Sequence, residues 1–69
     1  MTFRKMIIRS LPPAARVQAT VRRHFVTKVC ERLNIAPDVE ASKVSCEKMT
    51  EFTVFVVQEI LPLYRQKAV

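Results

Sequence analysis

One histidine and two cysteines, His24, Cys30 and Cys46, are the residues of this 69-residue chain best suited to hold a metal or act as a reactive nucleophile. Structural zinc takes four ligands, commonly as C-x2–4-C and H-x3–5-H pairs, and the spacing here matches neither pattern and implies no fourth ligand. A catalytic cysteine or serine would depend on His24 as its base, on a helix otherwise patterned for burial. We therefore expect no catalytic residues, no metal and no cofactor. Cys30 and Cys46 read as small apolar core residues. The alternative is a bridge between neighbouring helices, which requires Cα atoms within about 7 Å. The chain has no glycine. That absence removes the G-x-x-x-x-G-K-[ST] and G-x-G-x-x-G loops, which need positive φ or close backbone approach to phosphate, and the G-x-S-x-G nucleophile elbow.

Charge is the stronger signal. Twelve Lys and Arg against six Asp and Glu give a net +6. Residues 1–30 hold Arg4, Lys5, Arg9, Arg16, Arg22, Arg23 and Lys28 with no acid, or +7, while the remainder is close to neutral at −1. Acid-free, arginine-rich, amphipathic N-termini are the compositional mark of mitochondrial targeting segments. Within residues 1–11, Phe3, Met6, Ile7 and Leu11 recur at helical spacing and Arg4, Lys5 and Arg9 fall elsewhere. This stretch reads as a basic amphipathic arm, directed at an import receptor or at an anionic partner such as nucleic acid or lipid head groups.

The elements behind these residues follow from punctuation by Pro and Asn. Ser10 can cap a helix with Pro12 and Pro13 in its first turn, running without a break to about Asn34. Val21, Phe25, Val29 and Leu33 form its apolar stripe, widened by Val26 and Cys30. Asn34 through Pro37 is the exit, because Asn tolerates the left-handed conformation and Pro37 biases Ala36 away from helix. A short turn fits between Asp38 and Val44. Ser45 is the next N-cap, with Glu47 complementing the dipole of a second helix that carries Met49, Phe52, Val56, Ile60 and Leu63 on one seam. Phe52 to Val57 is apolar nearly all round and calls for burial on every side. Pro62 kinks or ends this helix, and Arg65 and Lys67 suit its negative end. The β-branched and aromatic run from Thr50 to Val57 also permits a strand. A bilayer span needs about 20 apolar residues, and Phe52 to Leu63 is twelve residues interrupted by Gln58 and Glu59. No transmembrane crossing is expected.

Two stretches resemble known families. Lys43-Val44-Ser45, followed by an apolar helix with Val54-Phe55-Val56-Val57 and preceded by a helix ending Arg32-Leu33, resembles helices one and two of centromeric histone-fold proteins over about residues 25–69. The resemblance implies DNA binding through a heterodimer. This sequence departs from the pattern by stopping at Val69, where a third helix would follow. Leu63-Tyr64-Arg65 is similar to the tripeptide of the LYR-motif family of mitochondrial accessory proteins. There it sits early in a three-helix bundle, and here it stands near the end.

Together these observations describe an all-α subunit. A basic arm, residues 1–11, precedes a helical packing unit, residues 12–69, built as a two-helix hairpin or bent helix pair whose core is completed by partner chains. A domain of about 60 residues buries only about 60% of the surface its unfolded chain exposes, so help from neighbours is expected. The expected function is that of a non-catalytic accessory subunit in a large mitochondrial assembly, a respiratory-chain or ATP synthase complex, with the mitoribosome as a close variant. The alternative is a nuclear, histone-fold-like nucleic-acid-binding module acting as a heterodimer. Phe52, Phe55, Val56, Ile60 and Leu63 are expected to pack against partner subunits. Arg4, Lys5, Arg9, Arg16, Arg22 and Arg23 form the expected basic surface, facing other protein subunits or anionic lipid head groups, with nucleic acid as the partner of the alternative.

Overall fold

The computed structural model describes residues 1–65, with side chains as far as Leu63. The expectations for Tyr64, Arg65 and Lys67, and with them the LYR tripeptide, lie outside the described side chains. The fold is all-α, and the described residues contain no strand apart from a single bridge between Thr2 and Glu40.

Helix α1 spans Phe3–Ser10. Thr2 caps it, its hydroxyl accepting from the Lys5 amide at 3.3 Å. The Phe3 and Arg4 amides have no partner within the helix, and donate instead to the carbonyls of Val39 at 2.8 Å and Pro37 at 3.0 Å. The loop after the third helix therefore holds the start of the first. Ser10 does not begin a helix. It is the last residue of α1, its hydroxyl donating to the Ile7 carbonyl at 2.6 Å. Pro12 explains the reversal, because a residue before proline is pushed out of the helical region, and Leu11 is extended at φ −79°, ψ 150°.

Helix α2 is the single turn Pro13–Arg16, with Pro13 at the position where a missing N–H costs nothing. The continuous helix expected up to Asn34 is broken here, since Gln18 is extended at φ −104°, ψ 113°. Arginine side chains stabilise the break. Arg16 donates through Nε to the Leu11 carbonyl at 2.8 Å and through Nη2 to the Arg9 carbonyl at 3.0 Å, and Arg22 donates to the Arg16 carbonyl. In a chain without glycine, guanidiniums satisfy carbonyls at the ends of α1 and α2 that a C-terminal glycine motif would otherwise serve.

Helix α3 runs Ala19–Leu33 and ends as its sequence indicates: Asn34 is left-handed, at φ 58°, ψ 45°. The Ile35 amide then reaches back to the Cys30 carbonyl at 3.1 Å, closing the helix end. A 3-10 turn, Ala41–Lys43, leads to α4, Cys46–Phe55, whose N-cap is Ser45, accepting from the Lys48 amide at 3.2 Å. The strand alternative for Thr50 to Val57 is thereby excluded. Both threonines fit the helix by donating their hydroxyls one turn back, Thr50 to Cys46 and Thr53 to Met49, each at 3.0 Å.

The chain continues through a wide π turn, Val56–Ile60, into α5, Leu61–Arg65. Pro62 accounts for the widening. In a regular helix its ring would collide with the carbonyl of Gln58, and opening the turn by one residue, with the Leu61 amide on the Val56 carbonyl, moves that carbonyl aside. Pro62 bends the hydrogen-bond register without ending the helix.

The core gathers Phe3, Ile7, Leu11 and Ala15 from the first two helices, Phe25, Val26, Val29 and Leu33 from α3, and Phe52, Phe55, Val56 and Ile60 from α4 and the π turn. Two expectations change. Residues 1–11 are not an arm apart from the packing unit, because Phe3 and Ile7 are fully buried and Leu11 is 1% exposed. The apolar face recognised in the sequence turns inward, each such side chain contributing about 1.5–3 kcal/mol when fully buried. Phe52, Phe55, Val56 and Ile60 belong to this same core and not to a partner's groove; of the five proposed partner-packing residues only Leu63 is exposed. The outer apolar residues of α4, the π turn and α5 are Val54, Val57 and Leu63, each about half exposed.

Candidate functional site

The chemically distinctive side chains are dispersed. His24 is exposed, its ring edge-on to Phe25 with centroids 5.3 Å apart. Cys30 is half-buried on α3 and Cys46 is exposed at the first position of α4, and both are free thiols. Burial pushes the Cys30 thiol above its ordinary pKa, an effect partly opposed by the Arg4 charge. Cys46, expected in the core, is not there, because the N-cap position of Ser45 fixes the first turn of α4 and turns Cys46 outward. No group of three His, Cys, Asp or Glu is placed to hold a metal ion among the described residues.

The basic residues are organised more clearly. Lys5, Arg9, Arg23 and Lys28 are exposed, as the opposite face of helices whose apolar residues are buried. Arg16 and Arg22 are partly committed to the carbonyls at the ends of α1 and α2. Arg4 pairs with Asp38 at 2.9 Å, the aspartate being 79% exposed, so the pair is screened and contributes about 0–1 kcal/mol.

Arg4, Arg22 and Arg23 come together in one place. They line a groove of about 500 Å³ between α1 and α3, along with Ile8, Ala19, Val26, Thr27, Cys30, Glu31 and Pro37. The α3 positions recur at three- and four-residue steps and therefore form one face of that helix, while Arg4 and Ile8 stand one turn apart on α1. The start of α3 at this groove carries neither a side-chain cap nor an acidic residue, so its amides add partial positive charge there. Guanidiniums bind carboxylates and phosphates through two parallel hydrogen bonds, and the apolar residues between them favour a ligand with a greasy middle.

By sequence these three arginines stand out by charge and Val26 and Cys30 by the apolar stripe, but Ile8, Ala19, Thr27 and Pro37 were missed as groove residues. Their signal was the repeat 19, 22/23, 26/27, 30/31, masked by the stronger apolar stripe of α3. Arg32 was missed as well; it lies 5.3 Å over the Phe55 ring and 3.4 Å from Glu59, joining the end of α3 to α4 and the π turn. No helix among the described residues is long and apolar enough to cross a membrane. Compared with known proteins, the chain matches no family model, and no curated protein or solved structure proves similar to it.

Proposed function

We propose that this chain is a non-catalytic accessory subunit of a large mitochondrial assembly, a respiratory-chain or ATP synthase complex, with the mitoribosome as the close variant. The observation that carries the reading is the run of seven cations and no acid in the first thirty residues, laid over amphipathic helices. An import receptor reads such a helix by its apolar face. In the folded chain that face, Phe3, Ile7 and Leu11, is closed, so α1 serves as a signal only before folding and as a core element afterwards. The basic outer surface then meets acidic surfaces of neighbouring subunits or anionic lipid head groups. Val54, Val57 and Leu63 supply the exposed apolar contacts that the buried Phe52, Phe55, Val56 and Ile60 do not. Subcellular fractionation with native electrophoresis tests this: the native chain should co-migrate with a high-mass mitochondrial complex. Recovery only from cytosol or nucleus overturns it.

The alternative, a nucleic-acid-binding module, draws on the exposed Lys5, Arg9, Arg23 and Lys28. It requires affinity for duplex DNA to fall with salt by a log–log slope of about −0.9 per neutralised phosphate. A flat salt dependence excludes it.

A further inference from the structure

We infer that the groove between α1 and α3 seats an acidic amphipathic helix of a neighbouring subunit, an inference that rests on the accessory-subunit reading and specifies the partner. The shape of the groove and its charge lead to the same occupant. Its α3 wall extends from Ala19 to Glu31, which at 1.5 Å per residue is about 18 Å, or some three helical turns. Arg22 and Arg23 stand toward one end of that wall and Arg4 comes from α1, while Ile8, Val26 and Cys30 give the groove an apolar lining. Among the described residues Glu31 is its sole acidic lining residue, leaving the groove cationic.

A third helix fits a valley between two helices by packing its own three- and four-residue ridges into it, and it brings its backbone hydrogen bonds already made. The other occupants fit less well. A peptide added as a strand would need a strand edge, which the described residues do not present, and a polyproline segment would need an aromatic-lined groove, whereas no aromatic residue is among those lining this one. Duplex DNA carries closely spaced phosphates that the apolar stretch of the groove cannot neutralise. A bilayer surface is too broad to enter a concave valley. Arg4 is available to an incoming carboxylate because its present partner, Asp38, is a largely solvated surface residue that exchanges at little cost.

The full chain, labelled with nitrogen-15, is titrated with a synthetic helical peptide of Ala, Leu and Glu whose Glu residues flank a central Leu face, and with its counterpart carrying Lys for Glu. The inference expects shifts concentrated on the amides of Ile8, Ala19, Val26 and Thr27, with the Glu peptide binding about tenfold or more tightly than the Lys peptide. In the Arg4→Glu, Arg23→Glu double variant the preference should reverse. Circular dichroism checks that this variant keeps its helix content, and the milder Arg23→Gln should weaken the Glu peptide alone without reversing the order. Equal binding of both peptides, absence of binding, or shifts centred on Val54 and Val57 overturns the inference. So does a response of the groove amides to phosphatidylglycerol vesicles or a DNA duplex without one to the Glu peptide. Fractionation bears only on the subunit reading and peptide preference only on the groove, so the two can fail separately.

Discussion

The rings of Phe3 and Phe52 meet edge to face, with centroids 5.5 Å apart and planes inclined at 65°, and so tie the first helix to α4 across the core. Phe3 has no exposed surface. Replacing it with alanine should cost about 3–5 kcal/mol, the range for a buried aromatic truncation, whereas Lys5→Ala on the outer face should stay within about 0.5 kcal/mol. Urea denaturation followed by circular dichroism separates the two. Similar midpoints would mean that α1 is not part of the cooperative core.

Among the described residues Asn34 alone carries a positive φ, in a chain that has no glycine to place there. Asn34→Gly should leave thermal stability unchanged or slightly higher. Asn34→Val, whose branched Cβ opposes the left-handed region, should lower it by about 1–2 kcal/mol. A neutral valine variant would show that the end of α3 is held by other contacts.

These two positions illustrate how far the sequence could be read. Asn34 and Ser45 act through local chemistry, a left-handed end and a hydroxyl cap, and both stand where local reasoning puts them. Phe25, Val29, Phe52 and Ile60 were legible as buried because helical periodicity marks an apolar face. Periodicity does not say what that face meets. Phe3, Ile7 and Leu11 therefore read as an arm, and Phe52 and Phe55 as anchors for another chain, when each set completes the other. The break at Gln18 had no Gly or Pro beside it to announce it; it depends on Arg16 and Arg22 reaching main-chain carbonyls, a tertiary arrangement without a local signature. The groove was half visible, since Arg4, Arg22 and Arg23 stood out by charge while their convergence required the packing of α1 on α3.

Arg16 makes two side-chain hydrogen bonds to the carbonyls that end α1. Arg16→Ala should lower stability by about 1–2 kcal/mol, because the carbonyls fall back on water and the turn Pro13–Arg16 loosens. Arg9→Ala serves as the control, expected near zero. Amide hydrogen exchange offers the finer measurement, with faster exchange at Leu11 and Ala15 in the Arg16 variant.

Cys30 is half-buried and Cys46 is exposed. Burial raises the Cys30 pKa above its ordinary 9.0, so less thiolate is present at a given pH. A maleimide at pH 8 should label Cys46 first. The same shift makes a stability statement: the folded chain holds the Cys30 proton more tightly than the unfolded chain, so this contribution is complete below pH 9 and declines as pH rises through the higher folded value. Cys30→Ala should remove that alkaline decline, which thermal melts between pH 8 and 11 would detect.

The stitching of residues 1–4 to residues 37–41 also has a kinetic side. The amides of Phe3 and Arg4 wait for the carbonyls of Val39 and Pro37, and the amide of Ala41 for the carbonyl of Met1. These are contacts of high sequence separation in a chain whose other hydrogen bonds are mostly local, and closing them costs loop entropy before any contact repays it. During synthesis, α1 therefore has no seat until Ala41 has left the ribosome, and no closed core until Phe52 and the residues after it have followed. For that interval its apolar face stays uncovered, for a time set by elongation through α3 and α4.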